Sequence, residues 1–186
     1  MTFVAVYDAC VLYPAPIRDL LLRIAHSGMV RARWTERILD ECFRSIGNRR
    51  PDLAAESLRR TRRLMCDAVP DCIVVDYERV ESTLDLPDVD DRHVLAAAIR
   101  ANAQAIVTFN LRDFPNRVLA RFDIEAKHPD DFVLECIDLD PGAVSECAIS
   151  QALALQQPPV TVQALLDTLN RLGLAQSAAR LRELMA

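Results

Sequence analysis

The chain has 186 residues, 51% hydrophobic and 26% charged, so it is long enough to bury a core and too apolar to be a disordered polypeptide. No run approaches the roughly 18 uncharged apolar residues of a membrane span. The start MTFVAVYDAC lacks the basic segment and long apolar stretch of a signal peptide, so a cytoplasmic location is expected. The net charge of −5 argues against simple coating of nucleic acid, but the charge is unevenly spread. Residues 1–66 carry 12 Arg against 7 Asp and Glu, whereas residues 67–186 carry 10 Lys and Arg against 20 Asp and Glu. The densest basic cluster is Arg59, Arg60, Arg62 and Arg63, with Arg49 and Arg50 nearby. The planar, always charged guanidinium suits phosphate contacts. A solvated helix face explains the cluster equally well, since the chain has a single Lys, Lys127. Six dispersed cysteines without a CxxC pair read as small buried residues rather than a zinc site.

In chain order, Phe3–Tyr7 is a short apolar run that reads as a buried strand ending at Asp8. After Pro14-Ala-Pro16, residues Ile17–His26 show helical spacing and stop at Gly28. Val30–Trp34 reads as a second strand. Thr35 caps a helix through Ser45 with Ile38, Leu39, Cys42, Phe43 and Ile46 on its apolar face, and Gly47-Asn48 is expected to break it. Glu41 lies off the centre of that face. Pro51 opens a helix over 52–68 that carries the Arg cluster. A strand over Cys72–Val75 and a short helix over Asp76–Leu84 follow. Leu86–Asp90 is a loop, Asp91–Ala101 an Ala-rich helix, and Ala105–Phe109 a strand that runs into the loop Asn110–Pro115. Val118–Phe122 is a short helix, Ile124–Lys127 an edge strand, and His128-Pro129 opens a helix over 130–137. From Asp140 onward the pattern is helical only: Gly142–Leu155, a Gln/Pro linker, a helix capped by Thr161 that ends at Gly173, and Leu174–Met185. Alternating strands and helices predict an α/β fold with a mostly parallel sheet covered on both sides. The expected division is 1–139 and a helical extension over 140–186.

Four acids occupy places where such a sheet forms sites: Asp8 after the first strand, Glu41 in the second helix, Asp91 opening the Ala-rich helix and Asp113 after the next strand. Gathered together, they would repel each other unless they took up protons or a cation. Mg2+ and Mn2+ prefer oxygen ligands, activate water near neutral pH and stabilise charge on phosphoryl groups. An acidic metal site therefore points to phosphodiester chemistry. Plainer readings stand beside this one. Asp8 can cap the next helix, Glu41 can be a solvated charge, Asp113 can be a turn residue, and one of Asp88, Asp90 and Asp91 serves the helix N-terminus. His93 reads as packing rather than as a ligand. Cys10 has no His near it in sequence and is not read as a nucleophile. With four Gly and no phosphate-binding loop, nucleotide cofactor binding is unsupported.

The segments YDACVLYP, WTERILDE, DVDDRHVLAAAIRANAQAIVTFNLRDFP and HPDDF together resemble a PIN domain, the nuclease fold of VapC-type toxins. The resemblance spans about residues 3–137 and implies a PIN-like three-layer fold with a mostly parallel central sheet. The helical tail resembles the extension of a longer subgroup. The resemblance implies that Asp8, Glu41, Asp91 and Asp113 hold Mg2+ or Mn2+, with Thr108 and Asn110 at the site's edge. Asp90 is the alternative to Asp91. The latter is preferred because Val94, Leu95 and Ala98 place it over the buried stripe. The resemblance also implies an RNA substrate, a cognate antitoxin and a homodimer, with Arg59, Arg60, Arg62 and Arg63 facing RNA or antitoxin. The leading expectation is a Mg2+-dependent endoribonuclease acting as a toxin. An RNA-processing nuclease without an antitoxin and a non-catalytic binding module are the alternatives.

Overall fold

A computed structural model of the chain describes residues 3–186. Its centre is a four-stranded parallel sheet in the order β2-β1-β3-β4, built from β1 (Phe3–Tyr7), β2 (Val30–Arg33), β3 (Ala105–Val107) and β4 (Glu125–Lys127). Successive strand residues face opposite sides of a sheet, yet Ala5, Val6, Tyr7, Ala105, Ile106 and Val107 are all buried. Both faces are therefore covered, as parallel sheets require. The chain passes from β1 to β2 on one side and then crosses to β3 on the other side of β1. Such a change of direction is where open α/β sheets form their sites, here at the carboxyl ends of β1 and β3.

Helix α1 (Ala9–Leu12) follows β1 directly, and α2 (Ala15–His26) leads to Gly28, whose φ of +85° turns the chain into β2. Helix α3 (Glu36–Arg49) begins where the Thr35 hydroxyl accepts from the Ile38 N–H at 3.1 Å, and it buries the five predicted apolar residues. It is followed by α4 (Ala55–Ala68), α5 (Glu78–Glu81) and α6 (Arg92–Arg100). Ala96, Ala97 and Ala98 of α6 are fully buried, and their small side chains let the helix lie close on β1 and β3. Asn102, at φ +49°, closes α6 while the Ala103 N–H donates to the Ala98 carbonyl, and the chain then enters β3.

After β3 come a 3-10 turn over Leu111–Asp113, the short α7 (Asn116–Leu119) and β4. The remaining helices are α8 (Pro129–Leu139), α9 (Pro141–Ala154), α10 (Val162–Arg171) and α11 (Ala175–Leu184). Asp130 on α8 fastens α11. Its carboxylate accepts from the backbone N–H groups of Gln176 and Ser177, at 2.9 and 2.8 Å, and from the Ser177 hydroxyl at 2.7 Å. Helix α9 packs on α2, where the Gln151 amide donates to the Pro16 carbonyl at 2.8 Å. Gly173, at φ +104°, ends α10 against the aromatic ring of Phe109. A Cβ there would meet Phe109 Cε1 at 3.3 Å.

The α/β class, the parallel sheet and the C-terminal helices are as expected, and four local expectations are corrected. Cys72–Val75 is not a strand. Ile73 makes one parallel bridge to Trp34, and the left-handed Asp76 (φ +59°) then turns the chain away. Gly47-Asn48 does not break α3, because one glycine costs a helix only about 1 kcal/mol and Ile46 remains buried beside it. Asp52 does not open α4. It is drawn into a two-pronged pair with Arg50 at 2.7–2.8 Å, and the helix starts at Ala55. The strand placed over Ala105–Phe109 ends at Val107, although the Thr108 N–H still donates to the Lys127 carbonyl at 3.0 Å.

Candidate acidic site at the carboxyl ends of the central strands

Asp8 and Thr108 are neighbours because β1 and β3 are neighbours. The Asp8 N–H donates to the Val107 carbonyl at 3.1 Å, so both residues leave the sheet at the same level. Asp8 is buried and well held. Oδ1 accepts from the Ala9 N–H at 2.7 Å, and Oδ2 accepts from the Thr108 hydroxyl at 2.7 Å and the Cys10 thiol at 3.2 Å. The capping reading of Asp8 is therefore real, yet it accounts for only part of the carboxylate. Thr108 also accepts from the Asn110 N–H at 3.0 Å, which shapes the loop carrying Asn110 and Asp113. Asn110 is exposed and Asp113 half-buried in the 3-10 turn. Burial, then the charge of Asp8, pushes the Cys10 thiol up to about 12, so it stays protonated and is no nucleophile.

Asp91 stands at the N-cap position of α6 and is half-buried, but its side chain makes no capping hydrogen bond. Burial, then the charges of Asp8, Asp113 and Asp88, push its carboxyl from an ordinary 3.8 to about 7. The charges of two other predicted acids, Asp8 and Asp113, thus reach Asp91. Asp88 is exposed and its carboxylate accepts from the Asp90 N–H at 2.9 Å, a local turn contact. Asp90 is exposed.

Glu41 is turned to other partners. Its Oε1 meets His93 Nε2 at 3.1 Å and Arg37 Nε at 3.4 Å, and Arg37 also reaches Glu81 at 2.9 Å. Burial alone would raise the Glu41 carboxyl, but His93 and then Arg37 outweigh it and hold it below its usual value. His93 is only 1% exposed, and the sequence disclosed no partner for it, because that partner lies on a different helix. Its place two residues after Asp91 at the mouth of an apolar helix was the one available signal.

Among the described residues no three Asp, Glu, His or Cys side chains are set to hold one ion together. The donor chemistry nevertheless fits a hard divalent cation. The acids are oxygen donors that repel one another, and Mg2+ typically takes one or two carboxylates with water completing its shell. The basic cluster is divided. Arg62 pairs with Glu36 and with Asp40, and Arg59 with Glu56 at 2.8 Å. Arg60 and Arg63 are exposed and make no ion pair among the described residues. A cavity of about 730 Å3 lies apart from the site acids, between α2, α4 and α9.

Comparison with known proteins agrees with this architecture. Residues 4–112, more than half of the chain, match the PIN domain family, and residues 129–183 match the VapC50 C-terminal domain. The chain belongs to the PIN domain family. It is 45% identical over 94 residues to a protein of Mycobacterium tuberculosis (strain ATCC 25618 / H37Rv) named "Putative ribonuclease VapC50". That match covers 50% of this chain and 55% of the relative, so the chain spans about half the length of the relative it matches. No solved structure matches the chain. No helix among the described residues is long and apolar enough to cross a membrane.

Proposed function

We propose that the chain is a Mg2+- or Mn2+-dependent endoribonuclease, the toxin of a toxin–antitoxin pair. The observation that carries this reading is the half-buried Asp91 carboxyl at the start of α6, which burial and the charges of Asp8, Asp113 and Asp88 push up to about 7. Family membership and the ribonuclease name of the mycobacterial relative support it. Asp8 and Asp91 are the proposed principal ligands. Asp113 is proposed to act beside them and Glu41 at the rim. When bound, the cation supplies Lewis acidity to a phosphodiester and lowers the pKa of water.

The chain's own residues do the rest. Thr108 and the Ala9 N–H fix the Asp8 carboxylate, so it needs no rearrangement to bind. The carboxylates orient a water for in-line attack on phosphorus, and a site carboxylate takes its proton. The P–O3′ bond breaks, leaving a 5′-phosphate on one fragment and a 3′-hydroxyl on the other. Exposed Arg60 and Arg63 meet the RNA backbone or the antitoxin, whereas Arg59 and Arg62 are already engaged by acids. Asn110 borders the site. We also assign the protein to the cytoplasm and to a homodimer, which light scattering checks.

The test is RNA cleavage by the wild-type chain with Mn2+ and with EDTA, using Asp8→Asn as control. Cleavage that needs the ion and disappears in the variant is expected. Metal-independent cleavage, or full activity of Asp8→Asn, overturns the reading. Growth arrest on expression, relieved by a small protein encoded beside it, checks the toxin assignment.

A further inference from the structure

His93 is a buried polar residue that the site described so far does not use. It lies in the first turn of α6, two residues after Asp91, and is 1% exposed. Its Nε2 lies 3.1 Å from Glu41 Oε1. A carboxylate can only accept, so Nε2 carries the proton and donates. The other ring nitrogen, Nδ1, is buried without a partner among the described residues. A buried polar atom left unpaired weakens a fold, and an apolar side chain of similar volume would serve packing better. What the imidazole supplies here is its contact with Glu41.

That contact joins two acid-bearing elements. Asp91 heads α6, Glu41 rides on α3, and His93 is the polar link between them. Both contacts to Glu41 fall on Oε1. Among the described residues Oε2 accepts no hydrogen bond and remains available. Arg37 is the weaker holder. Its distance is 3.4 Å, its side chain is 39% exposed, and it is shared with Glu81. Partners that orient a metal-site carboxylate in this way typically matter 10–100-fold in metal affinity or activity.

We propose that His93 is a positioning residue that sets the Glu41 carboxylate against the Asp91 side of the acidic site, leaving Oε2 for a cation-bound water. This rests on the metal-dependent ribonuclease reading above.

The test is a double-mutant cycle read by Mn2+ calorimetry, by kcat and KM for RNA, and by the thermal midpoint. His93→Leu removes the donor, and His93→Gln restores an amide donor near the position of Nε2. In the wild-type background His93→Leu is expected to weaken Mn2+ binding and lower kcat by about 10-fold, with KM little changed. His93→Gln recovers most of both. In a Glu41→Gln background, His93→Leu has little further effect on either. An equal loss in both backgrounds, tracking the fall in thermal midpoint, reduces His93 to a packing residue and overturns the proposal. Indifference of Mn2+ binding to His93→Leu overturns it as well. A wild-type chain that binds no Mn2+ overturns the metal reading together with this one, so the two failures are distinguishable.

Discussion

Asp130 and Asp91 both stand beside helix N-termini, and their surroundings are opposite. Asp130 joins α8 to the start of α11, and three donors from Gln176 and Ser177 take up its carboxylate. Asp91 heads its own helix without accepting any capping bond, and burial together with Asp8, Asp113 and Asp88 push it up to about 7. The junction of α8 and α11 has thus spent this acid on architecture, while α6, packed on the central sheet, keeps one in an electrostatically unfavourable place. Burial and like charge of this kind favour the proposed cation site. The same contrast holds within the site. Asp8 is fastened by Thr108 and the Ala9 N–H, so the frame is rigid where Asp91 is frustrated.

The comparison breaks most visibly under substitution. Asp91→Asn removes the charge and keeps the shape. We expect RNA cleavage to fall by about 100-fold or more, since several kcal/mol of transition-state stabilisation are lost. The ion-free chain should melt at the same temperature or higher at pH 7.5, as calorimetry will show. Asp130→Ala should do the reverse. Two backbone N–H groups lose their acceptor, while the Ser177 hydroxyl keeps the Asp130 carbonyl at 2.9 Å, at a cost of about 2–4 kcal/mol in denaturant unfolding. Cleavage per folded molecule should change little. A loss of stability in Asp91→Asn equal to that in Asp130→Ala would erase the distinction.

A pH titration sharpens the contrast. The folded-state pKa of Asp91, about 7, lies above its unfolded value near 3.8. Between these values the folded chain binds more protons, so this group's contribution to stability falls as pH rises from about 4 to about 7 and is flat above. Without metal, the thermal midpoint of the wild type should decline across that window relative to Asp91→Asn. Saturating Mn2+ should remove the decline at its upper end. The opposite slope would contradict the assignment of repulsion to this acid. The smallest effect is expected at Gly173, where the left-handed backbone and the nearby Phe109 ring oppose a side chain. Gly173→Ala should cost about 1–2 kcal/mol, measured by urea unfolding.

Much of this arrangement was legible in the residue order. Strand β1 ending in Asp8, the Ala-rich α6 and the edge strand β4 follow from periodicity and punctuation, because those signals are local. The preference for Asp91 over Asp90 rests on a local reason too, its register over Val94, Leu95 and Ala98. What escaped was set by contacts between distant segments. Ile73 makes one bridge and then loses the sheet to a left-handed turn at Asp76. Asp52 is taken by Arg50 before it can open a helix. Asp130, within the HPDDF segment, proves to be the fastening of α11. Glu41 and His93 find each other only once α3 and α6 are in place, and neither spacing nor composition reveals such a pair.

On the proposed function, Asp8 and Asp113, after β1 and β3, and Asp91, at the head of α6, form one divalent-cation site of which Asp91 is the poised member. Mn2+ titration of the wild type and of Asp91→Asn at pH 7.5, followed by calorimetry, tests it most directly. The account predicts saturable binding by the wild type and its loss in Asp91→Asn while the variant stays folded. Binding by Asp91→Asn equal to that of the wild type would contradict it.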